Sequence, residues 1–188
     1  MNLPNKLTVL RVLMVPVFMI FALIPSIPYN DFWALAMFAL ASITDALDGH
    51  IARKNNLITS FGKFLDPLAD KVLVMAALVC FVQSGYASAV AVVIILAREF
   101  TVTALRLVAS GEVVIAAGIL GKLKTAFTMV AIVVILFLHG AATNGIFNIG
   151  ADVLSIIDNA LIWIATALTV ISGVQYLWAY RRFIDPTK

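Results

Sequence analysis

The chain has 188 residues, of which 63% are hydrophobic and only 12% charged. A soluble domain averages about 45–50% apolar and about 25% charged, so the composition excludes an ordinary soluble protein and points to a membrane. The net charge of +3 is small, no nucleic-acid partner is expected, and the single cysteine, Cys80, excludes a disulfide framework.

A bilayer core takes roughly 20 apolar residues per helix. Six stretches fit in chain order: about 7–27, 31–53, 67–84, 87–109, 122–141 and 153–181. The first is not read as a cleaved leader, because Arg11 interrupts it, no small-x-small site follows and five more apolar runs come after it. Residues 2–11 are more polar and are expected to form a short helix along the membrane interface. Pro16 is expected to kink the first span unless neighbours satisfy the freed carbonyl. Turn residues separate the spans: Pro25 to Asn30, then Gln83-Ser84-Gly85-Tyr86, then Asn144-Gly145 and Asn148-Ile149-Gly150. The last span carries Trp163, and Tyr176, Trp178 and Tyr180 near its end, as interfacial anchoring predicts. No linker marks a second domain, so residues 1–188 read as one membrane domain.

The basic residues test this segmentation. Lys6, Arg11, Arg53, Lys54, Lys63, Lys71, Arg106, Lys122, Lys124, Arg181, Arg182 and Lys188 all fall toward one side, and Arg98 lies deeper inside the fourth span. By the positive-inside rule that side is the cytoplasm, and it holds both termini. The fold class is therefore an all-α integral membrane protein with six transmembrane helices, multi-pass in the cell membrane.

Four of the ten acidic residues crowd into the stretch from Asp45 to Asp70. Asp45 and Asp48 are three apart near the inner end of the second span. Asp66 and Asp70 are four apart at the inner start of the third. Both spacings put a pair on one helical face, and antiparallel neighbouring helices would let the pairs face each other. Asp45 would lie roughly 12 Å along the helix from Arg53, too deep for simple surface solvation. Close carboxylates without a counter-ion repel and take up protons. Hard oxygen ligands suit Mg²⁺, Mn²⁺ or Ca²⁺ far better than zinc. Four such side chains can hold two divalent ions, the arrangement that clamps both oxygens of a phosphoryl displacement.

Gly49 and Ala52 fall on the acidic face and leave room for a ligand, and Arg53 is placed to reach a phosphate. Gly62 is expected in a closely approaching loop, and Pro67 in the first turn of the third helix. The alternative, helix-end charges balanced by Arg53, Lys63 and Lys71, explains one acid better than four. A cation path through the bilayer is the alternative from another class. It would need acids along the whole route, and here all four gather toward one side.

The pattern D-x-x-D-G-x-x-A-R, eight residues, then G-x-x-x-D-x-x-x-D resembles the signature of the CDP-alcohol phosphotransferase family, and every motif position matches. The resemblance implies displacement of CMP from a CDP-linked donor by an alcohol. It implies that Asp45, Asp48, Asp66 and Asp70 bind two Mg²⁺ or Mn²⁺ ions, with Asp70 also the general base. It implies that Gly49, Ala52 and Arg53 line the CDP-lipid site, that the protein is a homodimer and that the active site faces the cytoplasm.

The acceptor is read elsewhere. Arg98 and Arg106 of the fourth span, with Lys122 and Lys124 at the start of the fifth, form a second basic cluster, to which Thr125 can add a donor. Its natural ligand is a second phosphate. The runs Pro4-Asn5-x-Leu7-Thr8-x-x-Arg11, Arg98-Glu99-Phe100 and Gly121-Lys122-x-Lys124-Thr125 are similar to those of bacterial family members. The members in question use CDP-diacylglycerol as donor and sn-glycerol 3-phosphate as acceptor. Inositol phosphate is the competing acceptor. Membrane anchoring for Lys122 and Lys124, and compensation of Arg98 by Glu99, are the plainer roles. His50, beside Gly49, either touches the nucleotide or is a plain cytoplasmic helix-end histidine; His139 is expected at an interface; Glu112, Asp152 and Asp158 have no assigned partner.

Overall fold

The computed structural model describes residues 3–54, 60–109 and 118–181, with the side chains of 3–5, 46–54, 60–68, Asp70, 106–109 and Tyr180 outside the description. The described residues form six helices and no strand: α1 (Leu3–Leu23), α2 (Asn30–Lys54), α3 (Ser60–Ser84), α4 (Ala89–Ala109), α5 (Ile119–Thr143) and α6 (Ala151–Tyr180). Each overlaps one of the six apolar stretches. Three are long and apolar enough to cross a membrane, over Lys6–Leu23, Ile119–Thr143 and Ala151–Ala179, and α3 adds a shorter apolar stretch, Lys71–Ser84.

Helix ends follow the turn residues. Gly85 and Gly145 adopt φ of 80° and 69°, the left-handed region that glycine enters at no steric cost. After α3, Gly85 N–H donates to the Val82 carbonyl and Tyr86 N–H to the Phe81 carbonyl; after α5, Gly145 and Ile146 repeat the pattern on Ala142 and Ala141. These paired bonds satisfy carbonyls that a helix end otherwise leaves without partners.

Two local expectations are corrected. α1 runs as one helix from Leu3 through Pro16 to Leu23, so no separate short helix precedes the first span. Thr8 and Arg11 are polar because they face the interior, each about 1% exposed, and not because they lie on the interface. α3 begins at Ser60, so Gly62 and Pro67 lie within the helix and not in a loop and a first turn. Hydropathy marks the bilayer-embedded part of a helix, and the helix continues past it.

Packing centres on α1, which lies against both α2 and α3; α5 packs on α2 and α6, and α6 on α4. Among the described residues α2 and α3 meet only briefly. Most of the carboxylate motif, from residue 46 to 68, lies outside the described side chains, and the expected facing of the two acidic pairs lies there too. Phe18, Phe38, Leu78, Phe81, Ile132 and Ile135 fill the interior, and Phe18 meets Phe38 at 6.0 Å. Leu13, Val90, Phe100, Ile119, Ile156 and Val174 are more than half exposed. With an apolar exterior as well as interior, helix association depends on close packing and polar contacts more than on hydrophobic burial.

One such polar contact closes the bundle end away from the carboxylate motif. His139 Nε2 of α5 lies 2.8 Å from Asp158 Oδ2 of α6, and the Tyr86 ring stacks on His139 at 3.7 Å. Burial, and then Asp31 and Asp158, push the Tyr86 phenol up to about 12, so it stays neutral. His139 and Asp158 thus have partners that sequence reasoning did not supply.

Candidate functional site

Of the metal-ligand candidates, Asp45 is described in full. Arg11 Nη1 of α1 reaches its Oδ1 at 2.5 Å. Arg11 is buried and the Asp45 side chain is 42% exposed, so one flank of the carboxylate is neutralised and the other stays open to a ligand. A hard, partly open carboxylate next to three more acids in sequence is a donor set that fits a divalent cation. Asp48 lies on α2, and Asp66 and Asp70 on α3. Their side chains lie outside the described residues, as do those of Gly49, Ala52, Arg53 and Arg106. Among the described residues no group of three potential ligands comes together.

The second cluster is described almost completely. Arg98 and Glu99 are on α4, and Lys122 and Lys124 are in the first turns of α5. Glu99 Oε1 accepts from Arg98 Nη1 at 2.9 Å and from Lys124 Nζ. One carboxylate oxygen thus ties α4 to α5. Lys124 is 9% exposed, which excludes simple membrane anchoring for it; Lys122 is exposed. Lys71 Nζ of α3 donates to Thr103 Oγ1, and that hydroxyl donates to the Glu99 backbone carbonyl at 2.7 Å. Buried polar groups must be paired, and this network pairs them across three helices.

An open pocket has Lys71, Arg98, Lys122 and Lys124 on its walls, with Gly121 and Tyr176. Glu99 is the one acid among its described lining residues. An adjoining narrow apolar recess shares Lys71, Glu99, Lys124 and Thr125 and is also lined by Leu78 and Ile95. Thr125 lines both, but its hydroxyl donates to the Gly121 carbonyl at 3.0 Å. Four cations and one acid give the described lining a positive balance, which suits an anion.

Sequence reasoning missed several members. Sequence patterning puts Arg11 at the membrane surface and groups Lys71 with the surface charges. Lys71 carries a usable signal, since it directly follows Asp70. Ser172, Gly173 and Tyr176 of α6 surround Arg98: Ser172 Oγ accepts from Arg98 Nη2 at 2.9 Å, and the Tyr176 ring centre lies 6.0 Å from the guanidinium carbon. Nothing local in an apolar run announces such a contact 74 residues away.

Comparison with known proteins agrees with the motif. The family model for CDP-alcohol phosphatidyltransferase matches residues 1–171. The chain is similar to the CDP-diacylglycerol--glycerol-3-phosphate 3-phosphatidyltransferase of Bacillus subtilis, 44% identical with 93% of each chain covered. The protein of the same name from Rickettsia typhi is 39% identical, over 97% of this chain and 98% of that one. The one from Haemophilus influenzae is 38% identical, over 94% and 91%.

Proposed function

Because the chain belongs to the CDP-alcohol phosphatidyltransferase family, we propose that it transfers the phosphatidyl group of CDP-diacylglycerol to sn-glycerol 3-phosphate. The products are phosphatidylglycerophosphate and CMP, and the reaction is a step of phospholipid synthesis in a bacterial cell membrane. The acceptor hydroxyl oxygen attacks the phosphorus that bears the diacylglycerol. The bond from that phosphorus to the CMP oxygen breaks, and the hydroxyl proton passes to Asp70.

Asp45, Asp48, Asp66 and Asp70 hold two divalent ions, Mg²⁺ or Mn²⁺. When bound, these ions neutralise the diphosphate and stabilise charge on the departing CMP. Arg11 holds Asp45 from the side of α1. Gly49 and Ala52 leave room for the nucleotide, and Arg53 reaches its phosphates. Arg98, Arg106, Lys122 and Lys124 bind the acceptor's own phosphate, and orient its free hydroxyl toward Asp70.

One observation carries this reading. Lys71, the residue after Asp70 on α3, lines the same pocket as Arg98, Lys122 and Lys124. The basic pocket therefore abuts the helix that bears the general base, as a phosphorylated acceptor requires. A lining of four cations and one described acid suits a phosphorylated acceptor better than an uncharged alcohol.

The wider frame is a single membrane domain of residues 1–188 with six spans and cytoplasmic termini, working as a homodimer with the site toward the cytoplasm. Inositol phosphate also carries a phosphate and is the competing acceptor. Purified protein given CDP-diacylglycerol and Mg²⁺ should release CMP with glycerol 3-phosphate. Release with inositol phosphate alone would overturn the acceptor, and Mg²⁺-driven flux into liposomes without CMP release would overturn the chemistry.

A further inference from the structure

Arg98 is held from outside its own helix. Nη1 donates to Glu99 on α4, but Nη2 donates to Ser172 Oγ on α6 at 2.9 Å. Ser172 is 1% exposed, and its hydroxyl proton goes to the Thr169 carbonyl at 3.1 Å. That bond leaves the oxygen lone pairs for the guanidinium. Tyr176, one turn on, places its ring against the same group at 6.0 Å. Arg98 Nε is buried and has no hydrogen-bond partner among the described residues. A buried donor without an acceptor is costly, so the rest of the guanidinium depends on the contacts that hold it, and Arg98 also lines the pocket.

Gly173 completes the arrangement. A Cβ at this position would stand 2.8 Å from Arg98 Cγ, 3.4 Å from Nε and 3.7 Å from Cδ. Small residues in membrane helices usually let two backbones approach. Here the nearest atoms belong to a side chain, so the space is kept for the arginine stem. The closest atom is Cγ, near the root of that side chain. It cannot move aside by turning the far torsions alone. A methyl group at 173 must change the first torsions of Arg98, and that draws the guanidinium away from Ser172 and Glu99.

We propose that Ser172 and Gly173 of α6 are positioning residues that seat the Arg98 guanidinium in the basic pocket, and so set affinity for the acceptor's phosphate. The inference rests on the acceptor-phosphate reading above. It goes further by giving α6, which bears no part of the aspartate motif, a role in substrate choice. It also explains why a serine and a glycine interrupt the apolar run between Ile171 and Val174.

The test is steady-state kinetics of purified Gly173→Ala and Ser172→Ala with both substrates varied, in the wild-type and Arg98→Ala backgrounds. The exposed neighbour Ile171→Ala serves as control. Losing one charge-assisted contact should raise the glycerol 3-phosphate KM about tenfold in Gly173→Ala and roughly fivefold in Ser172→Ala. The CDP-diacylglycerol KM should stay within about twofold, and Ser172→Thr should restore most of the loss. In the Arg98→Ala background both substitutions should add less than about twofold, because the group they position is gone.

Equal effects with and without Arg98, or equal rises in both KM values, would overturn the seat. If Gly173→Ala does not fold, the Ser172 cycle decides by the same criteria. An Arg98→Ala variant with an unchanged glycerol 3-phosphate KM would instead overturn the acceptor reading itself. A rise in that variant without any effect of the α6 substitutions would overturn the seat alone.

Discussion

Glu99→Gln probes the pocket's charge balance. The substitution keeps shape and an acceptor oxygen but removes the one acid among the described residues lining the pocket. At 2.9 Å from Arg98 Nη1, the carboxylate contributes about 6 kcal/mol of attraction at an effective dielectric near 20, before desolvation is subtracted. Breaking a buried pair from one side costs about 3–5 kcal/mol, because the remaining charge is left uncompensated. With side chains 11–15% exposed, the low end, about 3 kcal/mol, is expected here. At 2–4 °C per kcal/mol for a chain of this size, thermal unfolding without substrate should occur about 6–12 °C earlier. A phosphate dianion restores the missing negative charge. Glycerol 3-phosphate should therefore raise the melting temperature of Glu99→Gln more than that of the wild type. The assay is thermal unfolding in detergent with and without that ligand. An unchanged melting temperature, or the same deficit with and without glycerol 3-phosphate, would refute the charge-balance argument.

Asp48→Asn and Asp70→Asn should each lower turnover at least about a thousandfold, since each removes a charge that organises the developing transition state. Substantial CMP release by either variant would contradict the metal and base assignments. Arg106→Ala or Lys124→Ala should raise the glycerol 3-phosphate KM more than the CDP-diacylglycerol KM, and the reverse would move these cations to the nucleotide. Arg11→Met should weaken Mn²⁺ binding, read by electron paramagnetic resonance without substrates, by about three- to tenfold through loss of the charge-assisted hold on Asp45. Arg11→Lys should recover part of it; undiminished Mn²⁺ affinity in both variants would reduce Arg11 to a packing residue.

The readable parts of this protein were those with local causes. Gly85 and Gly145 end their helices because only a left-handed residue closes those carbonyls. Asp45 and Asp48 fall on α2 and Asp66 and Asp70 on α3, so each pair keeps its helical spacing. Clustered charge in an apolar chain identified Arg98 and Lys124, and the structure joins them through Glu99. What escaped depends on contact between distant segments. Arg11 looks like a surface anchor until Asp45 is seen against it. The start of α3 at Ser60 was not legible because hydropathy reports the lipid-embedded length and says nothing of the helix beyond it. Ser172 and Gly173 read as small residues in an apolar span, and only the α4–α6 packing gives them Arg98 as a neighbour.

The most direct test follows label from acceptor to lipid. Purified protein in mixed micelles with CDP-diacylglycerol and Mg²⁺ is given radiolabelled sn-glycerol 3-phosphate or radiolabelled inositol phosphate in parallel. Label from glycerol 3-phosphate should enter the lipid phase with one CMP released per label, and chelation of the metal should stop both. No lipid-phase label from glycerol 3-phosphate, or incorporation from inositol phosphate alone, would contradict the account.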